Sequence, residues 1–190
     1  MSTTYLVCKA HALDSALLPE STILDLASSK TLNDFLDKLA QTSYGSELTG
    51  VKDVWDAERS LGIFFVKRLT SLVNSAYEAA RDFLRAYLKR YEVQNLVWIA
   101  RMKSRGSSKE EIERELLPIW WIEEFDPSPL IEAETLDELV SLMRKFGYSE
   151  VKEGEKDLLA IEAALKASYY RHVFNFLENR GVPDKNDILE

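Results

Sequence analysis

Hydrophobic side chains recur every three or four residues along most of this chain, which is the spacing of helices with one apolar face. We found no convincing alternation of the kind that predicts β-strands. The pattern therefore predicts an all-α fold. The two clearest stripes comprise Leu61, Phe64, Phe65, Arg68, Leu69 and Leu72, and then Phe83, Leu84, Tyr87, Leu88 and Tyr91.

Turn and capping residues predict where the helices begin and end. Thr31 with Asp34, and Thr135 with Glu138, have the spacing of N-terminal caps, and Gly106 followed by Ser108 ends one helix and begins another. Residues 51–105 contain one glycine and no proline, so they form a long helical region. We expect it to break near residues 74–77 and 91–94, because helices average about three turns. A final helix is predicted over residues 155–179.

Part of the sequence is echoed 104 residues further on. The segment Thr31–Leu36 resembles Thr135–Val140, and the same offset relates Tyr44 to Tyr148. It also relates Glu58, Leu61 and Phe65 to Glu162, Leu165 and Tyr169. This pattern predicts two pseudo-repeated helical subdomains, at 1–122 and 135–190, with a connector at 123–134 and the second subdomain incomplete. The alternative is two unrelated helices that share a capping pattern.

Charge is distributed unevenly, around a net value of −8. Residues 59–105 carry ten Lys or Arg and three Asp or Glu, a balance of +7, whereas residues 107–162 carry six and sixteen, a balance of −10. The two blocks indicate either two solvated faces of one body or ends that meet different partners. The negative total argues against a nucleic-acid partner. No apolar run has the length of a membrane span, so we expect an intracellular protein with at most peripheral membrane association.

The sequence offers little for catalysis. There is no phosphate-binding glycine motif, and the two histidines, His11 and His172, are isolated from each other. Cys8 is the single cysteine, so neither a disulfide framework nor a zinc cluster is expected. We therefore predict no catalytic residue, no metal and no cofactor, and a protein that is not an enzyme.

Six residues are candidates for structural or partner contacts. A helix over residues 90–103 brings Glu92 and Asn95 to one face, with Arg101 and Lys103 further along. Asparagine is a poor helix-interior residue, so it indicates either a polar network that fixes helix packing or contact with a ligand. Trp120 and Trp121 are adjacent, and two adjacent tryptophans on a regular helix do not both face one core. One of them is therefore expected at an interface, between subdomains or with a partner, and the alternative is burial in a loop under the same chain.

At this string the sequence resembles the C subunit of the archaeal A-type ATP synthase, which is the counterpart of the d subunit of the vacuolar ATPase. The family carries an acid-x-x-Asn-Leu pattern followed by Arg-x-Lys, and Glu92, Asn95, Leu96, Arg101 and Lys103 match it here. Two further segments are similar to the family: the opening stretch from residue 5 to residue 18, and the leucine-rich helix that leads to Thr42-Ser43-Tyr44.

The resemblance implies a function as well as a fold. Family members are longer, with three similar helical subdomains arranged as a funnel, and the second counterpart of Asn95 would fall at position 199. We therefore expect a shortened or truncated homologue. The implied role is that of a non-catalytic component of the central stalk, cytoplasmic and peripheral to the cell membrane. It would link the central shaft to the proteolipid ring and transmit torque for proton or sodium transport. The alternative is an unrelated all-α adaptor or a degenerate paralogue.

Overall fold

The computed structural model describes residues 3–48, 50–119 and 126–180, and the described part of the chain is helical without any strand. This confirms the all-α prediction. The helices are α1 (Thr3–Asp14), α2 (Glu20–Ala27), α3 (Leu32–Ala40), α4 (Val54–Ser75), α5 (Glu78–Ser104), α6 (Lys109–Glu115), α7 (Ser128–Glu132), α8 (Leu136–Lys145) and α9 (Leu158–Arg180). A short 3-10 helix, Gly45–Glu47, lies between α3 and α4.

The chain forms two compact units, residues 1–81 and residues 82–190. In the first unit α1 packs on α4 and α2 packs on α3. In the second unit α7 contacts both α6 and α8. The sequence predicts a different division, with subdomains at 1–122 and 135–190 and a connector at 123–134. That prediction rests on repeated segments, whereas the two units are defined by their compactness. The division at the connector remains a prediction.

The long helical region breaks once where the sequence predicts two breaks. The first prediction is confirmed, because α4 ends at Ser75 and Ala76 is extended, with φ −78° and ψ 144°. The second is wrong, because α5 continues without interruption from Glu78 to Ser104. Leu88, Val93, Leu96 and Ile99 are buried along that length. Packing over this length therefore stabilises a helix much longer than the average on which the second prediction rested.

The predicted caps form. Thr31 accepts a hydrogen bond from the Asp34 amide, and Thr135 accepts one from the Glu138 amide. Ser108 and Glu111 form a reciprocal capping box at the start of α6. The last helix begins at Leu158, three residues later than predicted.

Both α5 and α8 end in a Schellman motif, the reversal in which a glycine of positive φ follows the helix. Gly106, with φ 74°, ends α5, and its amide donates to the Lys103 carbonyl at 3.0 Å. Gly147, with φ 97°, ends α8 in the same way, and the amide of Tyr148 donates to the Met143 carbonyl at 3.0 Å. The second reversal fixes the backbone at Tyr148.

The second unit has a continuous hydrophobic core around the C-terminal half of α5. Leu96 and Ile99 are fully buried there. Each element from α5 to α9 contributes to it, through residues that include Val93, Ala100, Ile112, Leu116, Leu130, Ile131, Leu139, Val140, Met143, Val151, Ile161 and Leu165. Burial of each large side chain contributes about 1.5–3 kcal/mol, so this core holds α5 against its neighbours.

Candidate functional site: the polar ties and the groove of α5

Four polar residues predicted from the sequence lie along α5, and each contacts a different segment of the second unit. Glu92 and Asn95 are buried, with 1% of each residue exposed. Arg101 and Lys103 lie in the last turn and are partly buried. A buried polar side chain is stable only when its hydrogen-bonding groups find partners.

Asn95 pairs with the backbone of a single residue, Leu117, which follows α6. Its Nδ2 donates to the Leu117 carbonyl at 2.8 Å, and its Oδ1 accepts from the Leu117 amide at 3.1 Å. The carboxamide therefore acts as a backbone peptide would in a strand pair. This two-point contact explains an asparagine in the interior of a helix, and it fixes the chain after α6 against α5.

Glu92 lies beside Tyr148, at the end of α8. The Tyr148 hydroxyl donates to Glu92 Oε1. The Lys89 ammonium lies 3.5 Å from the same oxygen and 5.7 Å from the centre of the Tyr148 ring. A buried carboxylate needs both a counter-charge and a hydrogen bond, and these two neighbours supply them. Glu92 therefore ties α5 to the reversal that ends α8.

Lys103 caps the short helix α7. Its ammonium donates to the Ile131 carbonyl, and to the Ala133 carbonyl at 2.6 Å. Carbonyl groups at a helix C-terminus have no partner within the helix and carry partial negative charge, so a cation is favourable there. Lys103 thus links the last turn of α5 to α7.

Arg101 binds Glu162 on α9, and Lys166 binds the same carboxylate. Arg101 Nη2 donates to Oε2, and Lys166 Nζ donates to Oε1 at 2.6 Å. The Lys166 hydrogen bond and the Arg101 hydrogen bond hold the pKa of Glu162 below its usual range. Two cations around one carboxylate leave a positive balance at this point.

A groove of about 710 Å³ lies between α5 and α9. The helices run antiparallel, because Arg101 meets Glu162 while the Tyr169 hydroxyl donates to the Tyr87 carbonyl at 3.2 Å, and Phe83 lies beside Phe176. The residues lining the groove are Tyr87, Arg90, Val93, Gln94, Val97, Trp98, Arg101, Glu162, Lys166, Tyr169, Tyr170, Val173 and Phe174. Burial raises the pKa of the Tyr169 phenol, so it is a neutral donor at physiological pH.

The described residues show neither a metal centre nor a membrane span. No cluster of three or more His, Cys, Asp or Glu side chains among them has the arrangement to hold a metal ion. Over the same residues, no helix combines the length and the apolar character needed to cross a bilayer.

Comparison with known proteins matches residues 6–190 to the model of the ATP synthase (C/AC39) subunit family. The chain belongs to this family. It is 25% identical over 193 residues to the A-type ATP synthase C subunit of Thermococcus kodakarensis, an alignment that covers 98% of this chain and 52% of that relative. The corresponding protein of Thermococcus onnurineus is 26% identical, with 98% and 51% covered. That of Methanocaldococcus jannaschii is 22% identical, with 87% and 44% covered.

This C/AC39 chain spans about half the length of the curated relatives it matches. Membership confirms the family resemblance and removes the alternative that its helices are only coincidentally similar to those of the family.

In this family member, the residues predicted from sequence do not converge on one pocket. Glu92, Asn95 and Lys103 face separate segments, and Arg101 is the one of the four described candidates that lines the groove. Trp120 and Trp121 lie outside the described residues. Contact between any of these six candidate residues and a partner protein remains a prediction.

The groove is not predicted by the sequence pattern. Tyr148 and Glu162 enter that pattern only as members of the echo, and no motif distinguishes Lys166, Tyr170 or Trp98. A signal was present in α9, where Glu162, Lys166, Tyr169 and Val173 recur at three- or four-residue spacing. Periodicity does not specify which face of α9 packs against α5, because that packing is a tertiary contact.

Proposed function

We propose that this chain is a non-catalytic central-stalk subunit of an A/V-type rotary ATPase. In this role it links the central shaft to the membrane proteolipid ring and transmits torque for proton or sodium transport. The observation that carries the proposal is the family match along residues 6–190. The partners are the proteins of the shaft and the proteolipid ring, and the chain lies on the cytoplasmic side, peripheral to the membrane through the complex. No cofactor or nucleic acid is part of this role.

The polar contacts within the second unit support a role in transmitting torque. Side chains of α5 are anchored to the segment after α6, to α7, to the end of α8 and to α9, through Asn95, Lys103, Glu92 and Arg101 respectively. A protein that transmits torque must resist deformation, because compliance would dissipate the rotation. Buried hydrogen bonds that join several helices rigidify a helical body.

Co-purification tests the proposed partners. The full chain, tagged and expressed in its own organism, is expected to bring down shaft and proteolipid proteins from gently solubilised membranes. A tagged helical protein of similar charge is the control. Recovery of the folded chain without any other component of a rotary ATPase would favour a degenerate paralogue.

Depletion of the chain tests the coupling role. In membrane vesicles lacking it, ATP hydrolysis by the remaining enzyme should continue while ATP-driven ion accumulation falls, and adding the purified chain should restore accumulation. Unchanged ion pumping after depletion would exclude the coupling role. ATP hydrolysis by the purified chain alone would contradict its non-catalytic assignment.

A further inference from the structure

The groove between α5 and α9 combines an apolar floor with an aromatic rim. Val93, Val97 and Val173 are buried at its base. Trp98 and Tyr170 on the rim keep 38% and 66% of their surface exposed, and Phe174 keeps 46%. Large aromatic side chains that are half exposed beside a buried floor are typical of surfaces that bind another protein.

The same groove is positively charged in a chain whose net charge is −8. Its lining contains Arg90, Arg101 and Lys166 against the single carboxylate of Glu162, a balance of +2. Arg90 donates to the Tyr87 hydroxyl at 3.0 Å and lies 5.6 Å from the centre of the Tyr91 ring. Within the described part of the chain no carboxylate pairs with it. Lys166 shares the Glu162 carboxylate with Arg101, and the Lys166 side chain is 59% exposed.

We propose that this groove binds an acidic amphipathic α-helix of a partner protein. The α5 wall extends from Tyr87 to Arg101, about 21 Å at 1.5 Å per residue, which accommodates about four turns of a docked helix. The apolar face of that helix covers the valines and Trp98. Its carboxylates meet Arg90 at one end and Lys166 further along.

The charge and shape of the groove select this occupant over two others. A phosphate-rich ligand would not use the apolar floor and would meet a strongly negative molecule. A second copy of this chain offers an acidic helix, α6, but its seven residues form only two turns. The inference depends on the groove alone, so its failure would leave the proposed family role intact.

Binding of designed peptides to the full chain tests the inference. The first peptide is a fluorescein-labelled, amphipathic helix of about four turns with leucines on one face and glutamates at the flanks. The second replaces the glutamates with lysine, and the third has the residues of the first in scrambled order. Fluorescence polarisation at low and physiological salt gives the dissociation constants, and circular dichroism confirms that each protein variant is folded.

The protein variants are Arg90→Gln, Lys166→Gln and Trp98→Ala. The matched control is Lys145→Gln, which removes an exposed cation from α8, outside the groove. We expect the acidic peptide to bind with a dissociation constant below about 100 µM. Each groove-charge variant should weaken binding about three-fold at low salt, and Trp98→Ala about ten-fold. The control should change nothing.

Three outcomes would overturn the inference. The first is equal binding of the lysine or the scrambled peptide, or no binding at all. The second is an equal effect of Lys145→Gln and the groove-charge variants. The third is a dimer in sedimentation experiments that dissociates in the Arg90→Gln and Trp98→Ala variants, because the groove would then hold a second copy of this chain.

Discussion

Replacing Asn95 with leucine should destabilise the second unit more than any comparable change at its surface. Leucine has the same branching and the same number of side-chain heavy atoms as asparagine, and it favours the helix, so the substitution introduces neither a cavity nor a propensity penalty. The substitution removes the hydrogen bonds of 2.8 and 3.1 Å to Leu117. It leaves one amide and one carbonyl of a partly buried residue without those partners.

The magnitude follows mainly from the Leu117 amide, because the Leu117 carbonyl also accepts a hydrogen bond from the Ile119 amide at 2.9 Å and keeps it. An unsatisfied buried donor costs about 1–3 kcal/mol, and Leu117 is only partly buried, so water offsets some of the loss. We expect the free energy of unfolding to fall by about 1–3 kcal/mol. At the upper end the chain after α6 would detach from α5 and expose Ile119, which is fully buried in the intact protein.

Urea denaturation followed by far-ultraviolet circular dichroism at neutral pH measures this loss. Asn175→Leu is the matched control, since it makes the same chemical change at an exposed site on α9 and should alter stability by less than about 0.5 kcal/mol. A loss at Asn95 no larger than the loss at Asn175 would refute the structural role assigned to the Leu117 contact.

Three further substitutions test other contacts. Glu162→Gln should destabilise the protein at neutral pH. A carboxyl group whose pKa is lowered in the folded state contributes stability above its unfolded pKa, and this contribution is lost as pH falls through the folded pKa. The difference in free energy of unfolding between the variant and wild type, measured by urea titration, should therefore shrink over that fall in pH. Lys103→Met should lower stability by about 1–3 kcal/mol and accelerate amide exchange in α7, whereas the same change at exposed Lys145 should not. Gly45→Ala should lower the thermal midpoint, because its new methyl group would overlap the Ala40 carbonyl; an unchanged midpoint would show that the turn relaxes freely.

The sequence predicted the helices better than their contacts. Caps at Thr31, Ser108 and Thr135 were predictable because they depend on residues three positions apart. The continuity of α5 through residues 91–94 was not, because packing over its whole length decides it. The polar character of Glu92 and Asn95 was visible, but their partners, Tyr148 and Leu117, are 56 and 22 residues away. Pairing at that separation depends on the tertiary fold, which composition and spacing do not specify.

The 104-residue echo gives the last prediction. Helices α3 and α4 begin at Leu32 and Val54, and α8 and α9 begin at Leu136 and Leu158, so the offset relates both helix starts. The backbone amides before the caps are also bound alike: Lys30 donates to Asp34 at 3.3 Å, and Glu134 donates to Glu138 at 2.9 Å. These features are compatible with duplication and do not establish it.

The echoed residues themselves make different contacts. The Tyr44 ring lies 4.7 Å from that of Phe64, whereas Tyr148 donates to Glu92. Glu58 is exposed, whereas Glu162 pairs with Arg101. Both differences involve α5, so under duplication we expect divergence to be confined to side chains that face α5 and the backbone path to be retained. An experimental structure in which residues 31–73 superpose poorly on 135–177 would refute that expectation, since a shared helical cap alone does not preserve the angle between two helices.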